Sequence, residues 1–136
     1  MSLSATLQIG DNNIGVYERQ YKVVRCQYKF SREYNFRMPD TTSRNKSISI
    51  TIVAPNKDDL GLYEWYINRT LLNGRILFDL SGQAMFDESP KVLSFEGASC
   101  FSLSESYHID KEKQRLLNIE ITSEETTVDH ITFKNY

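Results

Sequence analysis

The sequence predicts a mainly β fold, in which two packed sheets form a small antiparallel β-barrel with one α-helix between strands three and four. Apolar residues recur at every second position in about seven segments, the period of a strand with one buried face. These segments follow one another closely, which favours antiparallel pairing over a parallel α/β sheet. At 136 residues the chain has the size of one domain, so residues 1–136 are predicted to be a single domain.

The first two strands are separated by a turn. Leu3, Leu7 and Ile9 lie on one face of strand one, and the polar residues 10–13 supply the turn. After a short extended piece, strand two begins at residue 21. Val23 and Val24 break its alternation, which indicates either a β-bulge or a strand buried on both faces.

The extended loop at residues 31–45 has no periodicity, yet it keeps Tyr34, Phe36 and Met38. A connection that is only solvated seldom carries three large apolar side chains, so this loop is predicted to pack against something.

The third strand and the helix follow this loop. Strand three ends before Pro55, which cannot donate to a central ladder, and a helix is predicted at about residues 57–72. Asn56 or Asp58 would cap its start, and residues 73–74, Asn-Gly, would stop it. Its apolar residues extend over more than one side, which indicates one side on the sheet and another on a partner chain. These residues are Leu60, Leu62, Tyr63, Trp65, Tyr66, Ile67 and Leu71.

The second half of the chain contains only strand patterns. Alternation predicts strands around residues 76–80, 93–103 and 117–121, and a last strand from residue 128 closes the chain. Polar turns separate these segments.

Charge is unevenly distributed along the chain. Residues 19–46 carry eight Lys or Arg against Glu33 and Asp40, a balance of +6, so the total of −2 leaves −8 elsewhere. This division permits contacts between unlike faces of identical copies, and it would equally suit an anionic partner. Because this basic stretch also contains aromatic residues, single-stranded nucleic acid is an alternative partner. A subunit contact remains the favoured interpretation.

The sequence predicts no catalytic, cofactor-binding or metal-binding residue, and hence no enzyme. His108 and His130 have no second ligand at metal-site spacing, and Cys26 and Cys100 are interpreted as reduced core thiols. Carboxylate pairs lie beside turns, where solvation explains them, and Ser99 lacks a nucleophile elbow. No segment is apolar enough for membrane insertion or a signal peptide, so the protein is expected to be made in the cytoplasm.

Several strings resemble, in order and spacing, the Hcp (TssD) tube proteins of bacterial type VI secretion systems, particularly the divergent TssD branch. The chain departs from this family at residues 37–39, where an expected preceding glycine is absent, and in a longer tail beyond Glu125. The resembling strings are residues 2–10, Cys26-x-Tyr28-x-Phe30-x-Arg32, Glu64-Trp65, Gly74-x-Ile76-x-Phe78, residues 93–98, Glu105 followed by Tyr107, and residues 121–124.

The resemblance implies a structural subunit of the inner tube, which forms homohexameric rings that stack and are expelled by sheath contraction. Its implied partners are further copies of itself, the sheath, baseplate and spike proteins, and secreted effectors that the tube carries or chaperones. Export would proceed through the apparatus without a signal peptide. The candidate subunit-interface residues are Tyr34, Phe36, Arg37, Met38, Arg44, Leu62, Trp65 and Tyr66. The alternatives are a phage-like tail-tube component of another contractile injection system, or a β-barrel module that binds nucleic acid or a ligand.

Overall fold

A computed structural model describes residues 4–31, 45–55, 58–79, 91–108, 114–129 and 131–134. Within these residues the mainly β fold with one helix between the third and fourth strands is confirmed. The elements are β1 (Ser4–Asp11), β2 (Val16–Ser31), β3 (Asn45–Val53), α1 (Gly61–Asn68), β4 (Leu72–Asp79), β5 (Lys91–His108), β6 (Gln114–Val128) and β7 (Ile131–Lys134).

The strands close into a six-stranded antiparallel barrel. They follow the order β3-β2-β1-β4-β5-β6-β7, and an additional pairing between β3 and β6 closes the ring of the first six. β7 lies outside this closure and pairs with residues 125–128 of β6. Every pairing is antiparallel.

The barrel divides into two sheets because three long strands change partners along their length. Residues 16–23 of β2 pair with β1, whereas residues 23–31 pair with β3, and a register shift separates Val23 from Arg25. Of the two predicted explanations for the adjacent valines, the bulge is therefore correct. β5 likewise pairs with β4 only as far as Ala98 and continues along β6.

We call one of the two sheets sheet 1. It contains all of β1, β4 and β7, together with the first halves of β2 and β5 and the second half of β6. The second half of β5, the first half of β6, β3 and the second half of β2 form sheet 2. The core between the sheets consists of the alternating apolar residues that predicted the strands. Its most deeply buried members include Leu7, Ile50, Ile52, Ile76, Leu93, Phe95, Leu117, Ile119 and Ile121.

The helix is held on the barrel by Trp65. The indole Nε1–H donates to the buried carbonyl of Ala98 at 3.0 Å, and the ring stacks on Phe95 with centroids 6.3 Å apart. Ala98 is the last β5 residue that pairs with β4. The indole therefore gives a hydrogen-bond donor to a backbone carbonyl at the point where the pairing of β4 with β5 ends.

The start of the helix differs from the prediction. Leu60 occupies the N-cap position, and the carboxylate of Asp59 accepts a hydrogen bond from the Gly61 N–H at 3.0 Å. Asp59 also accepts from the Tyr21 hydroxyl, which ties this end to β2. A Cβ at residue 61 would meet the Arg19 guanidinium, the far end of a flexible side chain that would have to move aside.

The predicted end of the helix at residue 72 is wrong. The helix ends at Asn68, where Arg69 adopts a left-handed conformation with φ of 55°. Ile67 and Leu71, which were expected on the apolar stripe, are exposed. Gly74, which was expected to stop the helix, instead lies within β4, where a Cβ would contact the Gln8 carbonyl oxygen at 2.4 Å.

Candidate assembly surfaces

One edge of sheet 2 is formed by the second half of β5. Beyond Ala98, residues 99–108 pair with β6 on one side and with no described strand on the other. The backbone groups on that side need partners, and a long open edge is a ready template for another chain.

The opposite edge of sheet 2 is the second half of β2. Residues 24–31 pair with β3, and among the described strands none covers their other side. The strand order across the sheet is β5-β6-β3-β2, with each neighbour antiparallel to the last. With an even number of strands, the two open edges run in opposite directions.

Both edges carry an exposed apolar side chain at a bulge. Phe101 lies at the register shift between Cys100 and Ser102 and exposes 50% of its surface. Val24 lies at the corresponding shift in β2 and is also exposed. The bulges turn these side chains away from the core, where a neighbouring molecule could cover them.

The charges of the two edges are complementary. Exposed Arg25 and Lys29 lie on the β2 edge, whereas Glu105 lies on the β5 edge. The Tyr107 hydroxyl donates to Glu105 Oε2 at 2.7 Å, a hydrogen bond that raises the pKa of Tyr107. Unlike charges on the two edges favour contact between the β2 edge of one copy and the β5 edge of another.

The face of sheet 2 that points away from the core is polar. Across β3 and β6, the Ser49 hydroxyl donates to Glu120 at 3.4 Å, and the Thr51 hydroxyl donates to Asn118 Oδ1 at 2.8 Å. Asn118 in turn donates to the Ser106 hydroxyl of β5. Hydroxyl, amide and carboxylate groups therefore form a hydrogen-bonded surface on this side of the sheet.

The helix residues predicted at the interface divide into two groups. Leu62 and Trp65 each expose 1% of their surface because they lie in the chain's own core, so almost none of either side chain is left for a partner. Tyr66 exposes 44% and remains available to a partner. The five loop residues predicted at the interface, Tyr34, Phe36, Arg37, Met38 and Arg44, lie outside the described residues.

Sequence patterns missed a groove of about 440 Å³ between the β1–β2 turn and the start of β4. Ile9 lies at its base, and Ile14, Val16 and Leu71 are exposed along its walls. The sequence patterns assign Ile9 to strand one and Leu71 to the helix. Only the three-dimensional fold shows that they line the same groove.

Reactive chemistry has little support in the described part of the chain. No group of three or more His, Cys, Asp or Glu there could hold a metal ion, and α1, at eight residues, is too short to cross a membrane. Both cysteines are free thiols, and burial raises the pKa of each, that of Cys26 to about 11. A protonated thiol is a poor nucleophile and metal ligand.

Comparison with known proteins gives one family. The model of the family described as hemolysin coregulated protein Hcp (TssD) matches residues 1–136. No curated protein sequence matches the chain.

Solved structures share the fold at low sequence identity. Hcp1 from Flavobacterium johnsoniae is 19% identical, with a TM-score of 0.74 and 97% of this chain and 99% of that chain covered. Secreted protein Hcp3 from Pseudomonas aeruginosa is 15% identical, with a TM-score of 0.61 and coverage of 95% and 91%. The sheath/tube terminator of an extracellular contractile injection system is 14% identical, with a TM-score of 0.54 and 92% of each chain covered.

Proposed function

Because this chain belongs to the hemolysin coregulated protein Hcp (TssD) family, we propose that it is the structural subunit of a type VI secretion inner tube. Its copies form hexameric rings that stack into the tube. The observation that carries the proposal is the pair of open, oppositely directed edges on the two sides of sheet 2.

In a ring, copies are related by rotation about the ring axis, and each strand keeps its direction relative to that axis. Rotation about a ring axis brings the β2 edge of one copy beside the β5 edge of the next, and the two strands are then antiparallel. The contact is heterologous, since each copy uses two different surfaces, and such contacts generate rings when the rotation closes. Closure leaves no open edge on sheet 2.

Pairing at these edges also gives the exposed groups partners. Each backbone hydrogen bond formed there contributes a net of about 0.5–1.5 kcal/mol, and several would form along the edges. Phe101 and Val24 would lose exposed apolar surface, and the basic β2 edge would approach Glu105. The same groups would be aggregation-prone on an isolated copy.

The role of the tube is mechanical. In this proposal the polar face of sheet 2 lines the lumen, because the barrel core and sheet 1 lie on the other side of it. A surface of hydroxyl, amide and carboxylate groups suits effectors with polar surfaces, which the tube carries or chaperones. Assembly occurs in the cytoplasm with sheath, baseplate and spike proteins, and sheath contraction expels the tube.

Substitution of Phe101 by lysine tests the ring contact. F101K places a positive charge on the edge that meets Arg25 and Lys29, so it should abolish rings while leaving the barrel folded. I131K is the matched control, since Ile131 exposes 64% on β7 but lies outside both edges of sheet 2. Circular dichroism checks the fold, and negative-stain images count rings. Intact rings in F101K would contradict the proposed edge contact.

A tail-tube component of another contractile injection system is the second candidate, and the fold likeness to the sheath/tube terminator favours it. Both candidates form rings, so imaging does not separate them. Neighbouring genes for a sheath, baseplate and membrane complex would identify a type VI system, whereas their absence beside phage-like tail genes would favour the second candidate.

A further inference from the structure

A cleft of about 200 Å³ opens at the point where β2 leaves β1 and joins β3. Its lining includes Ala5 of β1, Phe78 of β4, and Val24 and Cys26 of β2. Among the described residues that line it, Arg25 is the only charged one. The cleft is therefore an apolar socket with a cationic margin, and it lies at one end of the open β2 edge of sheet 2.

The alternation along each strand determines which residues of the two open edges share a face. On β5, Leu103 packs against the core, so Glu105 and Tyr107 follow it on the same face. On β2, Cys26 and Tyr28 pack against the core and occupy the corresponding face. Side chains of neighbouring strands in one sheet point to the same side, so these two sets lie opposite each other when the edges join.

The lengths of the open edges limit the register further. The open stretch of β2 begins at Val24, because β1 covers the same side of β2 before that point. Residues 99–108 of β5 run against this stretch in the opposite direction. Registers that keep like faces opposed and use most of both edges place Glu105 or Tyr107 opposite Val24 or Cys26. The end of the β5 edge of one copy therefore arrives at the cleft of its neighbour.

Tyr107 is the side chain of that segment best suited to fill the cleft. It exposes 63% of its surface on a single copy, and its hydroxyl already donates to Glu105 Oε2. The ring can enter an apolar site while the hydroxyl keeps its partner, which is the arrangement a buried tyrosine needs. Glu105 would bring a negative charge to the margin that contains Arg25, and complementary charges favour the contact.

We propose that Tyr107 of one copy occupies the cleft between β1, β2 and β4 of the neighbouring copy in the same ring. This inference rests on the proposed tube function, because it needs the edge contact within a ring. Backbone hydrogen bonds alone could form in more than one register, whereas an aromatic anchor in a socket selects one. Tyr107 would thus determine how neighbouring copies align.

Disulfide cross-linking tests the position of Tyr107. V24C combined with Y107C should give a ladder of covalent species when rings are oxidised at pH 8, at a concentration where images show rings. V24C combined with F101C is the matched control, since Phe101 is exposed on the same β5 edge but far from the residues that meet the cleft. It should give little cross-linking. The native thiols give little background, because burial raises the pKa of both Cys26 and Cys100.

Substitution of the aromatic ring gives a second readout. Y107S should raise the concentration needed for half-assembly about tenfold, as expected when an aromatic anchor is lost. Y107F keeps the ring and should assemble like the parent. Because Tyr107 is exposed on a single copy, circular dichroism should show the same fold in both variants.

Negative-stain images of the same samples separate the possible failures. A ladder from the Tyr107 pair alone, together with weak assembly of Y107S, supports the proposed contact. Rings without that ladder, a ladder from the Phe101 pair instead, or normal assembly of Y107S would overturn it and leave the tube function intact. A parent protein that forms no rings at all would overturn both proposals.

Discussion

Trp65 gives the sharpest test of how the helix is held on the barrel. Its indole N–H is the donor to the Ala98 carbonyl, and Ala98 is fully buried, so water cannot replace a lost donor. The substitution W65F keeps an aromatic ring beside Phe95 but removes that donor.

The expected loss follows from two contributions. A buried carbonyl left without its partner costs about 1–3 kcal/mol. The smaller ring also leaves a cavity of about 40 Å³, which costs about 1 kcal/mol at the usual dependence on cavity volume. W65F should therefore lower the free energy of unfolding by about 2–4 kcal/mol, or the Tm by about 6–12 °C for a chain of this length.

Urea and thermal unfolding followed by circular dichroism measure this loss. Tryptophan fluorescence is unsuitable because Trp65 is the only tryptophan. Y66F, on the exposed side of the same helix, is the control and should change stability by less than about 0.5 kcal/mol. Measurements need a dilution at which every variant is monomeric, since assembly adds apparent stability. A W65F variant within about 0.5 kcal/mol of the parent would refute the argument.

Two further perturbations probe the barrel itself. G74A should destabilise the protein by about 1–3 kcal/mol, because its Cβ would meet the Gln8 carbonyl oxygen. G15N should be less destabilising in the same urea titration, because nothing lies within 4 Å of that position and asparagine tolerates the left-handed conformation at φ of 69° better than other side chains do. A small effect of G74A would show that β1 and β4 can separate locally. Burial raises the pKa of the Cys26 thiol from 9.0 to about 11, so the folded state holds this proton more tightly than the unfolded chain does. That contribution is complete below pH 9 and is lost as the pH rises through 11, and C26A should flatten this part of the stability curve. An unchanged alkaline slope in C26A would contradict the burial argument.

The strands were predictable because each buries one face against a single core. Ile48, Ile50 and Ile52 alternate in the sequence and are buried in β3, and the valine pair in β2 did indicate a bulge. Alternation reports which residues face the core, and in a small barrel that is most of the information needed.

The helix was harder to predict because its packing depends on few contacts. Leu62 and Trp65 are its fully buried apolar side chains and Tyr63 packs partly against the core, whereas Ile67 and Leu71 are exposed despite their helical spacing. The left-handed Arg69 ends the helix without a glycine, and no residue pattern signals that conformation.

The assembly surfaces were only partly predictable. The exposed Tyr66 agrees with a helix that has a free side. Leu62 and Trp65, which belong to the same wide apolar stripe, are instead buried in the chain's own core. The open edges of sheet 2 depend on where β4 stops along β5 and where β1 stops along β2. Such lengths of pairing are properties of the closed barrel and not of any local segment.

Solution mass combined with negative-stain imaging of the purified full chain tests the tube function most directly. The proposal predicts a mass of six copies and rings with six-fold symmetry, which stack as the concentration rises. A protein that remains a monomer at high concentration and never forms rings would contradict it.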